Sequence, residues 1–237
     1  MDLGIAGRTA LIVGGSGLIG RAVAAALIRE DVRVVLAARS ADRLEAAAAD
    51  LAAEVGTITM DTRDTASVTA AVGRVITAEG AVDILVNAAA PPARTLDPAK
   101  DQDPAQVLDA FDAKTVGYLR VVDAVLPFMR KAGFGRIVNI SGQNAFLSHS
   151  VTGAVRNAAV IVASKALADS VAGTGVTVNV VNPGLVTATP NPSPQAGAPG
   201  DSTPEQVAAL VTFLASAQAA AISGESLAVG HRVLGVQ

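Results

Sequence analysis

The sequence predicts an α/β fold: one doubly wound parallel sheet of about seven strands, with helices on both faces. Short β-branched runs alternate with Ala-rich stretches of helical period along the chain. The runs are continuously apolar rather than alternating, the pattern of strands buried on both sides. The first run feeds a glycine-rich turn that opens a helix, an arrangement suited to a phosphate at the helix N-terminus.

In chain order, the strand candidates are Thr9–Val13, Val32–Ala37, Thr57–Met60, Ile84–Asn87, Arg136–Ser141, Thr177–Asn182 and Ser226–Val229. Between them lie helical candidates Leu18–Arg29, Ala41–Glu54, Ala66–Ala78, Pro104–Met129, Asn157–Val171 and Pro204–Ala215. The alternation never breaks, so residues 1–237 are expected to form one domain. Only Thr187–Ser202 has linker composition, which reads as a lid or a plain surface connection; its place after the sixth strand, on the binding edge, favours the lid.

Composition excludes several function classes. Hydrophobic residues make up 51% of 237 and charged residues 16%, enough for a large core. A net charge of −3 with few aromatics argues against a nucleic-acid partner. The chain has no cysteine, which removes disulfides and thiolate chemistry, and its two histidines, His149 and His231, lie too far apart to suggest a metal site. Val207–Gly224 lacks charge but is interrupted by Ser, Thr and Gln; it reads as a buried helix and a turn rather than a membrane span. With no signal-like N-terminus, a cytoplasmic location is expected.

Val13–Gly20 reads V-G-G-S-G-L-I-G, in which Gly15, Gly17 and Gly20 fit the dinucleotide pattern of a Rossmann fold. Glycines there let the backbone approach a pyrophosphate, so Gly14, Gly15, Ser16, Gly17, Leu18 and Ile19 are candidate cofactor contacts. At the end of the second strand, Ala38 stands where an NAD-selective fold places a carboxylate for the ribose 2′-hydroxyl. Arg39 and Ser40 follow it and suit a 2′-phosphate, which points to NADP(H).

Gly14–Gly20, M-D-T-R-D at Met60–Asp64, V-N-A-A-A at Val86–Ala90, I-V-N-I-S at Ile137–Ser141 and V-N-P-G at Val181–Gly184 occur in the order and approximate spacing of the short-chain dehydrogenase/reductase family, which the chain resembles over nearly its whole length. The resemblance implies that Asp61 and Thr62 contact the adenine, that Asn87, Ala88 and Ala89 line the cofactor cleft, and that Pro183, Gly184 and Val186 meet the nicotinamide end. The family's Asn-Asn-Ala-Gly is replaced here by Asn87-Ala88-Ala89-Ala90, and Leu18 stands where a glycine is usual.

The family reduces carbonyls with a Tyr and a Lys four residues later, assisted by a Ser and by an Asn of the preceding long helix. The single tyrosine here, Tyr118, lies in that long helix instead. Two registers compete for the Tyr-Lys pair. Ile161 to Lys165 mimics the family string, but needs about six extra residues upstream and about eight fewer before Pro183. The other puts Gly153 at the Tyr and Asn157 at the Lys for about two residues in a loop, and loops absorb length more readily than a helix does. The second is favoured, with Lys165 on the helix surface.

In that register Gly142 takes the Ser position with Ser141 beside it, and Lys114 takes the Asn position. Ser141, Lys114 and Asn157 are therefore the candidate catalytic residues. Lys114 would replace the lost ammonium and Asn157 would bond ribose hydroxyls; alternatively, Lys114 is a solvated helix residue and Asn157 a helix cap. Gln143, Asn144 and His149 lie on the loop expected to face substrate, whereas His231 and Arg232 read as surface or interface residues. The sequence supports an NADP(H)-dependent oxidoreductase of a small carbonyl or alcohol. The other reading is a cofactor-binding protein of the same fold without hydride transfer, either a redox-neutral enzyme or a partner subunit. By the resemblance, the Ala- and Val-rich helices Pro104–Met129 and Asn157–Val171 would pack on symmetry mates, giving a homotetramer or homodimer.

Overall fold

In the computed structural model, Thr9–Val13 (β1), Arg33–Ala38 (β2), Gly56–Thr59 (β3), Ile84–Asn87 (β4), Gly135–Ile140 (β5), Val176–Pro183 (β6) and Ser226–Val229 (β7) form one sheet. Its order is β3-β2-β1-β4-β5-β6-β7, and every pairing is parallel. The structure describes residues 2–51, 53–91, 95–146, 150–191, 193 and 200–231. The helices are Leu18–Ile28 (α1), Ala41–Ala49 (α2), Thr65–Glu79 (α3), Pro104–Phe111 (α4), Gly117–Ala132 (α5), Val151–Ser170 (α6) and Pro204–Ala215 (α7).

Successive strand residues point to opposite faces, so each strand feeds two cores. Ala10, Ile12, Leu36, Val86 and Val138 pack against Val23 and Leu27 of α1 and Val207 and Val211 of α7. Leu11, Val13, Val35, Leu85 and Ile137 pack on the other side against Val68 and Val72 of α3 and Val121 and Val125 of α5. Full burial of such side chains contributes about 1.5–3 kcal/mol each. That explains why the central strands read as unbroken apolar runs.

The strand order reverses between β1 and β4. Val13 pairs with both Ala37 and Asn87, and the chain leaves these strands in opposite directions, opening the crevice in which such sheets bind ligands.

Most elements lie within a residue of the expected ranges, and three helical runs differ by more. Helix α2 stops at Ala49 rather than Glu54, because Leu51 and Val55 turn back onto the core. Helix α6 starts at Val151, six residues before the expected Asn157. Ser150 Oγ caps it by accepting from Gly153 N at 2.9 Å, and Asp101 accepts from Val151 N at 2.6 Å and Ser150 Oγ at 2.5 Å. The run from Pro104 is interrupted by a π-turn, Asp112–Val116, between α4 and α5; such insertions often mark functional positions. Among the described residues, α6 alone is long and apolar enough to cross a membrane, and here its inner face lies on the sheet and on the π-turn.

The segment expected as a lid is pinched at its base: Thr187 N donates to Ser202 O and Ser202 N to Leu185 O, both at 2.9 Å. Residues 192 and 194–199 lie outside the described residues, as do His149 and Arg232.

Candidate active site

The glycine turn after β1 forms a cradle with no room for side chains. Gly14 has φ +84°, and a Cβ on it would lie 2.6 Å from Ala89 N; one on Gly20 would lie 2.4 Å from Gly14 O. Gly17 caps α1 without a side-chain hydrogen bond, and the first turn has no acidic residue. The first N–H groups of α1 thus face a close-packed turn with no side-chain anion against them, which fits a dinucleotide's diphosphate. Ser16, Leu18 and Ile19 line its rim, and Leu18 is exposed. Ala88 and Ala89 stand across the cradle.

Arg39 is exposed and has no ion pair or hydrogen bond among the described residues. Ser40 Oγ caps α2 by accepting from Arg43 N at 3.4 Å, leaving its O–H free to donate. A 2′-phosphate fits this pair, since a free guanidinium and a hydroxyl are both donors. Asp61 accepts from Arg63 N at 3.0 Å, and Thr62 O accepts from Arg120 Nη1 at 3.1 Å. Arg120 also pairs with Asp112, at 2.8 Å, so the expected adenine loop is tied to the π-turn. Asn87 is buried and donates to Asn139 Oδ1 at 2.9 Å, while its own Oδ1 has no partner among the described residues. Pro183, the last residue of β6, is buried; beyond it Gly184 N donates to Val229 O at 3.3 Å, and Val186 pairs with Ser202.

The three candidate catalytic residues form one cluster. Lys114, on the π-turn and 4% exposed, donates from Nζ to Asn157 Oδ1 at 2.6 Å and to Ser141 O at 3.0 Å. Ser141 Oγ donates to Asn157 O at 2.8 Å, so its proton is committed to α6 and its lone pairs remain. Burial, and then the nearby Arg156 guanidinium, push Lys114 down to about 7. An amine poised there exchanges its proton at neutral pH. Lys114 is therefore neither a solvated helix residue nor without a partner in the register that places Asn157 opposite it.

The neighbouring positions lack side chains. A Cβ on Gly142 would lie 3.4 Å from Asn157 Nδ2, and one on Gly153 would lie 3.0 Å from Ser150 Oγ and 3.6 Å from Asn144 Nδ2. Tyr118, one turn beyond Lys114, is 3% exposed and donates to Ile140 O at 3.1 Å. Burial pushes its hydroxyl upward and keeps it neutral. Lys165 is on the outer side of α6, paired with Asp169. Gln143 is buried and donates to Val229 O and His231 O, tying the loop to β7, whereas Asn144 is exposed.

Sequence reasoning missed Arg156. It is 5% exposed, and its Nη1 donates to Pro91 O at 3.0 Å. A signal was present: Arg156 falls on the stripe of Thr152, Gly153, Asn157, Val160 and Ser164 that α6 buries, and a charge in such a stripe marks a buried cation. The described residues contain no group of carboxylates and histidines able to hold a metal.

Residues 8–196 match the family model described as short chain dehydrogenase. The chain is 33% identical over 234 residues to the (2S)-[(R)-hydroxy(phenyl)methyl]succinyl-CoA dehydrogenase subunit BbsC of Thauera aromatica, covering 94% of this chain and 93% of the relative. It is 32% identical over 244 residues to the D-threitol dehydrogenase of Mycolicibacterium smegmatis, covering 96% and 93%. Among solved structures it resembles that of a single-substitution variant of the actinorhodin polyketide ketoreductase with NADPH, with a TM-score of 0.81, 28% identity, and 94% and 95% of the two chains covered.

Proposed function

The chain belongs to the short-chain dehydrogenase family, and from that membership we propose that it is an NADP(H)-dependent oxidoreductase of a small carbonyl or alcohol, working with a relocated lysine in the cytoplasm. One observation carries the reading: the buried Lys114 ammonium is held by Asn157 and Ser141 at the strand ends where the glycine cradle opens. A bound nicotinamide supplies or takes the hydride. Gly14–Ile19 seat the diphosphate, Arg39 and Ser40 take the 2′-phosphate, and Asp61 and Thr62 face the adenine. Asn87, Ala88 and Ala89 form one wall of the cleft, and Pro183, Gly184 and Val186 form the other. Lys114 gives the proton in reduction, directly or through a water. Asn157 fixes its direction and bonds ribose hydroxyls, while Ser141 turns its hydroxyl from Asn157 O to the substrate oxygen. The NADPH in the ketoreductase structure supports the cofactor choice.

The Thauera relative is named as a subunit of its enzyme, and in the favoured register Gly153, which offers no proton, takes the family's Tyr position. These two points support a second reading, a cofactor-binding subunit that itself transfers no hydride. NADPH-dependent turnover on a panel of carbonyls separates the two. For the reductase, Lys114→Ala lowers turnover by about two to four decades while NADPH affinity stays within about twofold. Tight NADPH binding with no turnover on any carbonyl or alcohol selects the subunit.

A further inference from the structure

We propose that Arg156 is a positioning residue for this site: it hangs the chain leaving β4 on α6 and, as a second buried cation beside Lys114, sets how firmly Lys114 holds its proton. The inference rests on Lys114 as the proton carrier and deepens that reading.

Arg156 and Asn157 are neighbours on α6, and both are locked to the helical run that carries Lys114. Asn157 Oδ1 accepts from Lys114 Nζ, and Arg156 O accepts from Thr115 Oγ1 at 3.0 Å. Ser141 Oγ holds the next carbonyl, that of Asn157. Two consecutive carbonyls of α6 are thus gripped by hydroxyls, one from the π-turn and one from the end of β5. With its backbone fixed in this way, Arg156 reaches Pro91 O just beyond the expected cofactor wall at Asn87–Ala89.

Nothing anionic balances the two cations among the described residues. The carboxylate nearest Lys114 in sequence, Asp112, is taken by Arg120 and Arg63. From α6, Lys114 faces Arg156 and Asn157; from β5, Ser141; and from its own helix, Tyr118, which stays neutral and bonded to Ile140 O. Arg156 Nε is buried with no partner among the described residues. An unpaired buried guanidinium is costly, and a tether to one carbonyl would need only a neutral amide. What the guanidinium adds is charge, and a like charge disfavours the ammonium of Lys114.

The chain has four lysines, so 13C-ε-lysine labelling gives four resonances to follow by NMR against pH in the cofactor-free protein, with Lys114→Met assigning the relevant one. Two variants separate charge from tether: Arg156→Gln keeps an N–H donor for Pro91 O, and Arg156→Met keeps neither. We expect the Lys114 midpoint, near 7 in the parent, to rise by about one pH unit in both. If Arg156→Gln leaves the midpoint where it was, Arg156 is a tether only and the proposal falls. A parent midpoint near the ordinary lysine value overturns it too. Should Arg156→Met fail to fold, Arg156→Gln alone decides. Because the titration needs no turnover, it decides the role of Arg156 even in a protein without reductase activity.

Discussion

Replacing Lys114 with Met changes the pH dependence of stability, and the structure gives its size. Lys114 falls from 10.5 to about 7 on burial. At about 1.4 kcal/mol per tenfold change in proton affinity, keeping the ammonium in the folded chain costs about 5 kcal/mol. Above pH 10.5 the amine is neutral in both states and the cost vanishes. Between 7 and 10.5 the unfolded chain binds a proton that the folded chain does not, so stability rises with pH. Below 7 both states are protonated and the full cost applies. Lys114→Met lacks this group, and its lost hydrogen bonds to Asn157 and Ser141 add an offset that varies little with pH. Parent stability relative to Lys114→Met therefore increases by about 2–3 kcal/mol from about pH 6 to about pH 9. Urea unfolding of both cofactor-free proteins at the two pH values measures it. A difference that stays flat within about 0.5 kcal/mol would falsify the assignment of a buried, charge-averse lysine.

Other outcomes follow from the cofactor side and the surface. NADPH should bind more tightly than NADH, and Arg39→Ala should weaken NADPH by about tenfold or more without touching NADH; calorimetric titration giving equal affinities would remove the 2′-phosphate site. Gly14→Ala forces a Cβ against Ala89 N at positive φ, so it should destabilise by about 1–3 kcal/mol and abolish dinucleotide binding. Gly142→Ala, whose Cβ would have three Asn157 atoms as its nearest neighbours, with Nδ2 at 3.4 Å, should stay within about 1 kcal/mol of the parent by thermal unfolding. Leu108, Val151, Val155 and Val162 are exposed on α4 and α6, and we propose that these helices meet a second copy. Light scattering should report a dimer or tetramer, and a monomer at micromolar concentration would refute this.

The strands were legible because burial on both faces leaves a local trace: every residue of β1 and β4 is buried, and the first run ends in glycines that admit no Cβ. The meeting of Lys114 with Asn157 was legible only through the family's spacing, since 43 residues separate them in sequence. What stayed hidden was non-local. The start of α6 is fixed by Asp101, 50 residues before Val151, and the local string Val151-Thr152-Gly153 contains β-branched residues and a glycine that argue against a helix. The π-turn leaves no periodic signal within five residues. The partner of Arg156, Pro91 O, lies 65 residues away on the chain leaving β4, so its tether has no local trace.

The contact between Lys114 and Asn157 also constrains how such a site can arise. In the register that sets Gly153 and Asn157 on the family's Tyr and Lys, the resemblance implies an ancestor with the two residue types exchanged, Asn on the long helix and Lys on α6. A single step that places lysine at both positions would set two amines where 2.6 Å now separates donor from acceptor, next to a buried guanidinium, and like charge would strip the proton from at least one of them. A step that places asparagine at both leaves a neutral amide pair that can hydrogen-bond and pack. The route that avoids this repulsion runs through an uncharged intermediate that has lost its proton carrier. Selection on something other than turnover, such as cofactor binding or a shared interface, would have to hold that intermediate in the lineage while the ammonium changed helices.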